Sequence, residues 1–567
     1  MDIKNIFSKL IKYTPENDYS FSLLEKPYEQ NEDSENSFSE DETKIFPSIK
    51  VNLEYVKSKY NTLINSDIVL REFTLNARSK QFHAFILYFD GMINTQMLND
   101  FVLEPLMMRN KNNLFEGDQN KVIYESVTNN VTIRKVKKFN LNDYLKNCLI
   151  PQNDLKEVKS FSECFSGINS GNCALFVDTL PIAFNIEIKG FQQRRVEKPT
   201  NEIVIKGTHE AFVENIRTNT SLLRRIINNE NLTIENIPIG KVSKTKCSLC
   251  YIKNIANTDL IGEVRYRLNN IGVDALLSAG QLEELISDEN DLSVPDILST
   301  ERPDKAATYL LEGRVVIIVN GSPYALITPA VFVDFLKSPD DRNLKANYSN
   351  FIKAIRFIAA TLALLLPGIY VAITSFHQEF LPTELLFSIL ASRDNVPFPI
   401  ILELLLMEIS FDLIREAGLR IPSPIGSTIG IVGGIILGQA AVSAGIVSPI
   451  LIIVVAITGI SSFAIPDYTF GFHLRYFRYL FIFLGYAAGF LGIALGLFVY
   501  LSILCDTKSF GVPYMIGVSS LENTKGYGYF LPPIWKREYR ASFLNPQKAT
   551  KQDHISMKWK YLDKNKK

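Results

Sequence analysis

The chain has 567 residues, enough for about three or four domains, and its 60 basic residues balance its 60 acidic residues. This balance gives no indication of nucleic-acid binding. The six cysteines are too scattered to form a disulfide framework, and the first residues carry charges and no apolar run, unlike a signal peptide. We therefore expect the long soluble part before the first apolar run to stay in the cytoplasm.

The two ends of the chain carry opposite charge. Residues 1–44 are predicted to be a disordered acidic arm, because Glu16–Glu42 contains ten acids and one base. Residues 506–567 are predicted to be a basic tail on the cytoplasmic side, since Lys525–Lys567 contains eleven bases and three acids. Such a tail favours contact with anionic lipid headgroups.

Residues 45–190 are predicted to form a first cytoplasmic α/β subdomain. Phe82–Phe89 is an apolar run of strand length that ends at an Asp-Gly turn signal. Thr95–Met108 has the apolar spacing of a helix. Ala174–Asp178 and Ile182–Ile188 are predicted to be paired strands on either side of a turn.

Residues 191–345 are predicted to form a second cytoplasmic α/β subdomain. We expect a short strand at Glu202–Ile205 and a strand within Lys241–Ile252. Between them, a helix capped by Thr208 is expected to run to about Ile227.

A β-hairpin is predicted near the end of this second subdomain. Val315–Val319 and Ser322–Ile327 flank Asn320 and Gly321, a pair that favours a type I′ turn. Pro323 has no amide hydrogen, so its strand is expected at the edge of a sheet.

Residues 351–505 are predicted to form an all-α polytopic membrane domain. A helix needs about 20 apolar residues to cross a bilayer, and four runs reach or approach that length. They are Ile355–Phe376, Ile429–Val447, Pro449–Ile465 and Tyr479–Leu504. The last three contain no Lys, Arg, Asp or Glu, as expected of segments in lipid.

The number of crossings stays open between four and six. Either number returns the basic tail to the side of the soluble region. With four crossings, however, Arg475 and Arg478 fall on the opposite side, against the preference of basic residues for the cytoplasm.

A segment at residues 397–418 is apolar but charged. Its ionisable residues are Glu403, Glu408, Asp412, Arg415 and Glu416. On a helix the last four fall within about 100° of one another, and Glu403 lies on the opposite side. Two interpretations remain open: an amphipathic interfacial helix with a solvated charged face, or a re-entrant helix whose acids face an ion path or control its gating.

Small residues recur one helical turn apart in two stretches. They are Gly426, Gly430, Gly434 and Gly438, and then Gly485, Gly489, Gly492 and Gly496. Such spacing lets helix backbones approach closely. Two arrangements remain open: packing within one subunit, or packing between subunits around a pore whose open path includes Gln439.

No sequence motif indicates catalysis. The chain has no phosphate-binding loop, no HExxH motif and no calcium-binding loop. Cys247 and Cys250 are interpreted as buried strand cysteines, because no second pair follows at a zinc-binding spacing. We therefore expect a protein that is not an enzyme and that has no cofactor or metal.

Several long segments resemble the A subunit of the GerA-type bacterial spore germinant receptors. They are VIKGTHEAFVENIRTNTSLLRRI (204–226), ERPD (301–304), LEGRVVIIVNGSPYALITP (311–329), FIKAIRFIAATLALLLPGIYVAITSFHQEFLP (351–382), PFPIILELLLMEISFDLIREAGLRIPSPIGSTIGIVGG (397–434) and SFGVPY (509–514). The chain departs from the family after the last apolar run, where Arg540 is followed by Ala541 rather than by proline.

The resemblance implies a subunit of a nutrient germinant receptor that triggers germination from the spore inner membrane, with both terminal regions on the core side. It implies assembly with a transporter-like B subunit, a lipoprotein C subunit and further copies of the A subunit, as an oligomeric ligand-gated cation channel. The alternatives are a non-conducting membrane scaffold that recruits other germination proteins, and a secondary transporter.

Overall fold

The computed structural model describes most of the chain. The described residues are 21–23, 44–77, 80–108, 140–152, 154–190, 199, 202, 204–288, 294–394, 396–420, 437–518, 527–552 and 556–557. Most of the predicted acidic arm and the first part of the predicted span Ile429–Val447 lie outside them.

The first subdomain contains a five-stranded antiparallel sheet with the spatial order β1-β2-β4-β5-β3. Its strands are β1 (Ile68–Ala77), β2 (Lys80–Phe89), β3 (Leu155–Val158), β4 (Cys173–Val177) and β5 (Ala183–Ile186). The predicted strands are confirmed, since Ala84 pairs with Val177 and Phe176 pairs with Ala183.

Helices cover both faces of this sheet. They are α1 (Ile49–Tyr60), α2 (Thr95–Leu98, a π-helical turn at Asn99–Leu103, and Glu104–Met108), α3 (Leu141–Tyr144 and a π-helical turn at Leu145–Leu149) and α4 (Phe161–Asn169). Successive side chains of a strand point to opposite faces, so Phe85 and Leu87 pack with α1 and α4 while Ile86 packs with α2 and α3. The predicted helix at Thr95–Met108 is confirmed.

The second subdomain has the same layout, with the strand order β6-β7-β9-β10-β8. Its strands are β6 (Leu232–Ile239), β7 (Thr245–Ile252), β8 (Leu298–Thr300), β9 (Val315–Val319) and β10 (Ala325–Thr328). Its helices are α5 (Ile216–Ile226), α6 (Thr258–Asn269), α7 (Ala279–Ile286), α8 (Pro303–Glu312), α9 (Phe332–Phe335) and α10 (Asp340–Asn343). Helices α5 and α8 pack on one face, and α6 and α7 pack on the other. Cys247 and Cys250 are buried on opposite faces of β7, and burial raises the pKa of the Cys247 thiol to about 12.

The predictions for the start of this subdomain are wrong. Glu202 is not in a strand, because it exchanges hydrogen bonds with Glu301, at 2.8 and 3.2 Å. Helix α5 is capped by Asn215 rather than by Thr208. The residues just before Asn215 are not helical, and the amide of Phe212 donates to the carbonyl oxygen of Glu301 at 2.7 Å.

The hairpin of β9 and β10 is confirmed, but its predicted turn is wrong. A type I′ turn needs a positive φ at both central residues, and Gly321 has one (+90°) while Asn320 does not. The loop is longer than expected, because β10 begins only at Ala325 and leaves Pro323 outside the strand. Strand β10 is also not an edge strand, since it pairs with β8 as well as with β9.

The described part of the tail folds onto the second subdomain. Strands β11 (Lys508–Ser509) and β12 (Val512–Pro513) pair with each other. Phe510, Tyr527 and Leu544 are buried in the same core as α6 and α7. These residues of the predicted basic tail are therefore part of the soluble region.

The rest of the chain is a bundle of helices. They are α11 (Ala346–Phe376), α12 (Thr383–Arg393), α13 (Ile400–Arg420), α14 (Pro449–Phe463) and α15 (Tyr468–Asp506), and residues 437–443 are also helical. Among the described residues, α11 and α15 are long and apolar enough to cross a membrane. Large apolar side chains of α15 such as Phe472, Leu491 and Phe498 are exposed, as expected of a surface that faces lipid.

Helix α15 is a hairpin rather than one continuous span. Ala488 (φ −142°, ψ 17°) and Gly489 (φ +58°, ψ −141°) have non-helical backbone angles. Nε2 of His473 lies 3.1 Å from the hydroxyl of Tyr500, which requires the two arms to be antiparallel. The predicted span Tyr479–Leu504 is thus divided between a first arm (residues 468–487) and a second arm (residues 490–506).

The chain enters and leaves the bundle at the second subdomain. Helix α11 follows directly after α10, and the second arm of α15 leads into β11. The ring of Phe470, at the start of the first arm, stacks on that of Phe335 with centroids 5.8 Å apart. The soluble region and the described part of the tail are therefore on the same side of the bundle.

Candidate functional site

Two glutamates and an arginine are almost completely buried where α13 meets its neighbouring helices. Glu403 and Glu408 on α13 and Arg478 on the first arm of α15 each expose 1% of their surface. At 100° per residue, positions five apart on a helix are about 140° apart. The two glutamates therefore meet different neighbours.

Glu408 belongs to a cluster around Arg478. Nη2 of Arg478 lies 3.0 Å from Oε2 of Glu408 and 3.2 Å from Oδ2 of Asp412. The hydroxyl of Tyr479 donates to Oδ2 of Asp412 at 2.6 Å. Nη1 of Arg475 is 3.9 Å from Oδ1 of Asp412. We call these five residues the Arg478 cluster; its two acids share one face of α13 because they are four residues apart.

The Arg478 cluster is incompletely hydrogen-bonded. Neither oxygen of Glu408 has a hydrogen-bond partner among the described residues, and the same holds for Oδ1 of Asp412 and Nε of Arg478. Glu408 is close to Arg478 without hydrogen-bond alignment. Buried carboxylate oxygens are usually saturated with donors, so the cluster can accept further donors or a cation.

Glu403 has a different role. Its Oε1 accepts a hydrogen bond from the amide of Ser448 at 2.5 Å, and Nε of Arg393 lies 3.6 Å from its Oε2. Ser448 is the N-cap of α14. A carboxylate at a helix N-terminus is stabilised by the helix dipole, so Glu403 anchors α14 to α13.

The other predicted polar residues belong neither to the Arg478 cluster nor to the contact between Glu403 and Ser448. Nη1 of Arg415 donates to the hydroxyl of Ser462 at 2.9 Å, and its guanidinium lies 4.5 Å from the centroid of Phe463. Glu416 and Gln439 are exposed. Of the six predicted ion-path residues, Glu408 and Asp412 share an ion-pair partner, Arg478.

Helix α13 is continuous from Ile400 to Arg420. On its charged face Glu408 is buried against neighbouring helices and Glu416 is exposed, so both interpretations of this helix stay predictions. A role of its acids in an ion path stays a prediction.

Within the two predicted glycine stretches, the glycines that the structure describes make close contacts inside the chain. A Cβ atom on Gly485 would lie 2.5 Å from the carbonyl oxygen of Gly368 in α11, and one on Gly492 would lie 2.3 Å from the carbonyl oxygen of Leu484. A Cβ atom on Gly496 would also meet the Leu484 side chain, and one on Gly438 would contact Ile452 of α14. Gly489 forms the turn of α15. Gly426, Gly430 and Gly434 lie outside the described residues.

Sequence reasoning missed the basic half of the site. Arg475 and Arg478 stand three residues apart just before a long uncharged run, and their sequence positions bear on topology alone. Two arginines that enter an apolar helix need buried acceptors, which was a signal for partners on α13. Nothing in the sequence marked Ser448 or Arg393.

Two α/β subdomains, a helical bundle with membrane-crossing potential and a buried charge cluster define a multidomain, membrane-associated class of protein. The family model described as Bacillus/Clostridium GerA spore germination protein matches residues 54–543. The chain belongs to this family.

Two proteins of Bacillus subtilis (strain 168) are similar to the chain over most of its length. Spore germination protein KA is 35% identical over 513 residues, which is 90% of this chain and 88% of that protein. The uncharacterized membrane protein YfkQ is 34% identical over 516 residues, which is 90% of this chain and 94% of that protein.

One solved structure is also similar: the N-terminal domain of the A subunit of the Bacillus megaterium spore germinant receptor GerK3. It is 28% identical, covers 51% of this chain and 98% of its own, and superposes with a TM-score of 0.35. Membership of the GerA family gives the chain a role in spore germination. Together with the two apolar helices, it indicates membrane association.

Proposed function

We propose that the chain is a subunit of a nutrient germinant receptor in the spore inner membrane, and that several copies form a ligand-gated channel for monovalent cations. The observation that carries the proposal is the Arg478 cluster. Carboxylate oxygens of Glu408 and Asp412 lie between apolar helices without a full set of donors. Oxygens of this kind are suitable ligands for a cation that has lost part of its water.

In the closed state, the guanidinium of Arg478 compensates both acids. Movement of α13 relative to the first arm of α15 would separate Arg478 from Glu408 and leave the carboxylates to attract a cation. Separating this partly hydrogen-bonded pair costs on the order of 2 kcal/mol, so the closed state is favoured until binding elsewhere offsets that cost. Opening is then a shift between two populations of the same helices.

The proposed trigger comes from other subunits. A transporter-like B subunit would hold the nutrient, and a lipoprotein C subunit would complete the receptor. The proposed topology has six crossings: α11, α13, the predicted run Ile429–Val447, α14 and the two arms of α15. This even number is consistent with the packing of the tail against the soluble region, which puts both on one side of the membrane. We propose that this side is the core side.

The test is the flux of K⁺ and Na⁺ from liposomes that contain the purified full-length protein. Replacing Arg478 by Met removes the compensating cation and should raise the basal K⁺ leak at least about tenfold, the equivalent of 1.4 kcal/mol. Adding Glu408→Gln and Asp412→Asn to Arg478→Met should abolish that leak, because the site then has no negative charge.

Glu384→Gln is the matched control. Glu384 is an exposed carboxylate on the neighbouring helix α12, and its replacement should leave the flux unchanged. If neither the wild type nor Arg478→Met passes any cation, the channel proposal is wrong and the scaffold alternative is favoured. Unchanged flux in the triple variant would remove the two acids from the conduction path.

A further inference from the structure

A cavity of about 490 Å³ lies where three parts of the molecule meet. Its walls come from α8 and residues 337–343 of the second subdomain, from Lys353 near the start of α11, and from the described part of the tail. Small-molecule sites usually have volumes of about 300–1,000 Å³. The Arg478 cluster contributes no residue to these walls.

Basic side chains outnumber acidic side chains in the cavity walls. The six basic residues are Lys305, Lys337, Arg342, Lys353, Arg537 and Lys551. The three acidic residues are Asp304, Glu312 and Asp341. A concave surface with such an excess of positive charge attracts anions.

Two of the three wall carboxylates are already paired with arginines that do not line the cavity. Asp341 accepts two hydrogen bonds from Nη1 of Arg356, at 2.9 and 2.7 Å. Asp304 lies 2.9 Å from Nη2 of Arg302, whose side chain is completely buried. Asp341 also attracts the ammonium group of Lys353 electrostatically, but its charge is shared with Arg356.

The third carboxylate is shared. Oε1 of Glu312 lies 3.7 Å from Nη2 of Arg342 and 3.8 Å from Nζ of Lys551. Both distances are long for a charge-assisted hydrogen bond, which is usually about 2.7–2.9 Å. Lys305 is paired with Glu202, outside the cavity walls, at 2.6 Å, but Glu312 alone at these distances cannot neutralise both Arg342 and Lys551.

Lys353 is the most informative residue of the cavity. Its side chain is completely buried, and its Nζ has no hydrogen-bond partner among the residues that the structure describes. A buried ammonium group without a partner is strongly unfavourable. An anion in the cavity would supply the missing acceptors.

Lys337 also lacks sufficient negative charge. Burial lowers its pKa to about 8, although Asp334 opposes that shift. Oδ1 of Asp334 is 3.5 Å from Nζ of Lys337, while its Oδ2 is held by Arg314 at 2.7 Å. The same carboxylate therefore serves two cations, and a further negative charge nearby would stabilise both.

We propose that this cavity binds a phosphate-bearing anion through Lys353, Arg342 and Arg537. These cations come from α11, from α10 and from the tail, so they surround a ligand from separate directions. A phosphate group offers several oxygens in a tetrahedral arrangement, and guanidinium groups pair with it through parallel hydrogen bonds. The first apolar run begins two residues after Lys353, at Ile355, which brings the cavity to the level of lipid headgroups.

The phosphate has two possible sources, a phospholipid headgroup and a soluble phosphate compound. The test measures the thermal unfolding midpoint of the full-length protein in detergent. One arm adds inorganic phosphate, with chloride at the same ionic strength as reference. The other arm adds mixed micelles that contain phosphatidylglycerol, with phosphatidylcholine as reference.

Phosphate or phosphatidylglycerol at about 100 times its dissociation constant should raise the midpoint by roughly 5 °C. Lys353→Met should abolish this shift without lowering the midpoint of the unliganded protein, because the substitution removes an unpaired buried charge. Arg537→Gln should weaken binding, so that at least about ten times more ligand is needed for the same shift. Lys241→Met is the matched control. It removes the same charge from an exposed turn and should retain the full shift.

A shift with inorganic phosphate identifies a soluble phosphate as the ligand class. A shift with phosphatidylglycerol alone identifies a lipid headgroup. The proposal is overturned if neither probe shifts the wild type, or if the shift persists in both Lys353→Met and Arg537→Gln. The measurement involves no ion flux, so its outcome is independent of whether the protein is a channel.

Discussion

The joint between the two soluble subdomains and the Arg478 cluster both bury an arginine, but only the joint satisfies it fully. Arg224 on α5 donates to both carboxylate oxygens of Asp67, at 2.8 and 3.0 Å, and to Asn65 at 3.2 Å. Its guanidinium also lies 4.2 Å from the centroid of the Phe89 ring. Because Asp67 and Phe89 belong to the first subdomain, these contacts fix its position against the second.

Arg478 contacts Glu408 and Asp412 through a single nitrogen atom. Among the described residues, its Nε has no hydrogen-bond partner, and the same is true of each carboxylate oxygen of Glu408. A fully hydrogen-bonded ion pair holds one geometry, whereas a partly satisfied pair loses less when it rearranges. The difference indicates a rigid soluble joint and a bundle that can change its contacts.

The largest expected effect is at the rigid joint. Arg224→Met leaves the buried carboxylate of Asp67 without its partner, which should cost about 3–5 kcal/mol of local stability. Hydrogen-exchange mass spectrometry should show faster exchange in β6, where the amide of Ile234 donates to Asn65 at 3.1 Å.

Arg225→Met provides a matched control at the next position. Arg225 pairs with Glu210 at the surface, where both side chains are more than one-third exposed. Such a pair contributes about 0–1 kcal/mol, so exchange in β6 should stay close to the wild type. Equal effects of the two substitutions would contradict a rigid joint at Arg224.

A smaller effect is expected in the bundle. Arg478→Met should cost on the order of 2 kcal/mol, because Glu408 already lacks hydrogen bonds before the substitution. Combining it with Glu408→Met should bring stability back to within about 1 kcal/mol of the wild type, since no unpaired charge remains at that pair. Thermal unfolding in detergent measures both variants.

The comparison between the two regions would fail if Arg478→Met destabilised the protein as much as Arg224→Met. It would also fail if the Glu408→Met and Arg478→Met double variant were less stable than either single variant.

The smallest effect concerns acids between the second subdomain and the bundle. Burial raises the pKa of Asp296 to about 6 and that of Glu283 to about 7. Between about pH 4 and pH 7 the folded protein therefore binds protons that the unfolded chain has released, and its stability falls as the pH rises. Glu283→Gln should flatten the upper part of this decline, while Glu284→Gln, at an exposed position, should not.

Thermal midpoints at pH 5, 6 and 7 test the expected slope. A stability that rises from pH 5 to pH 7 in the wild type, or a slope unchanged by Glu283→Gln, would show that these acids ionise without cost.

The soluble fold was largely accessible from the sequence because strand patterns are local. The apolar run at Phe82–Phe89 and the paired runs near residues 174–188 became neighbouring strands. The start of α5 was not accessible, since Thr208 and Asn215 are both good N-caps and the choice depends on the distant carbonyl oxygen of Glu301. Tertiary contacts decide between such equivalent local signals.

The bundle was less accessible. Hydropathy marks apolar residues but does not register a two-residue turn, so the reversal at Gly489 stayed hidden inside an uncharged run. The acids of the Arg478 cluster were recognisable by their charge. Their partner lies 66 residues beyond Asp412 in the chain, and no local pattern connects positions at that separation.

The hairpin form of α15 has a mechanical consequence. The second subdomain holds the beginning of α11 and both ends of α15, so at that side these helices cannot slide past one another without opening an apolar core. Displacement is left to the opposite side, around Gly489, where a small tilt produces its greatest amplitude. A force applied there would reach the soluble sheets as torque about a fixed pivot.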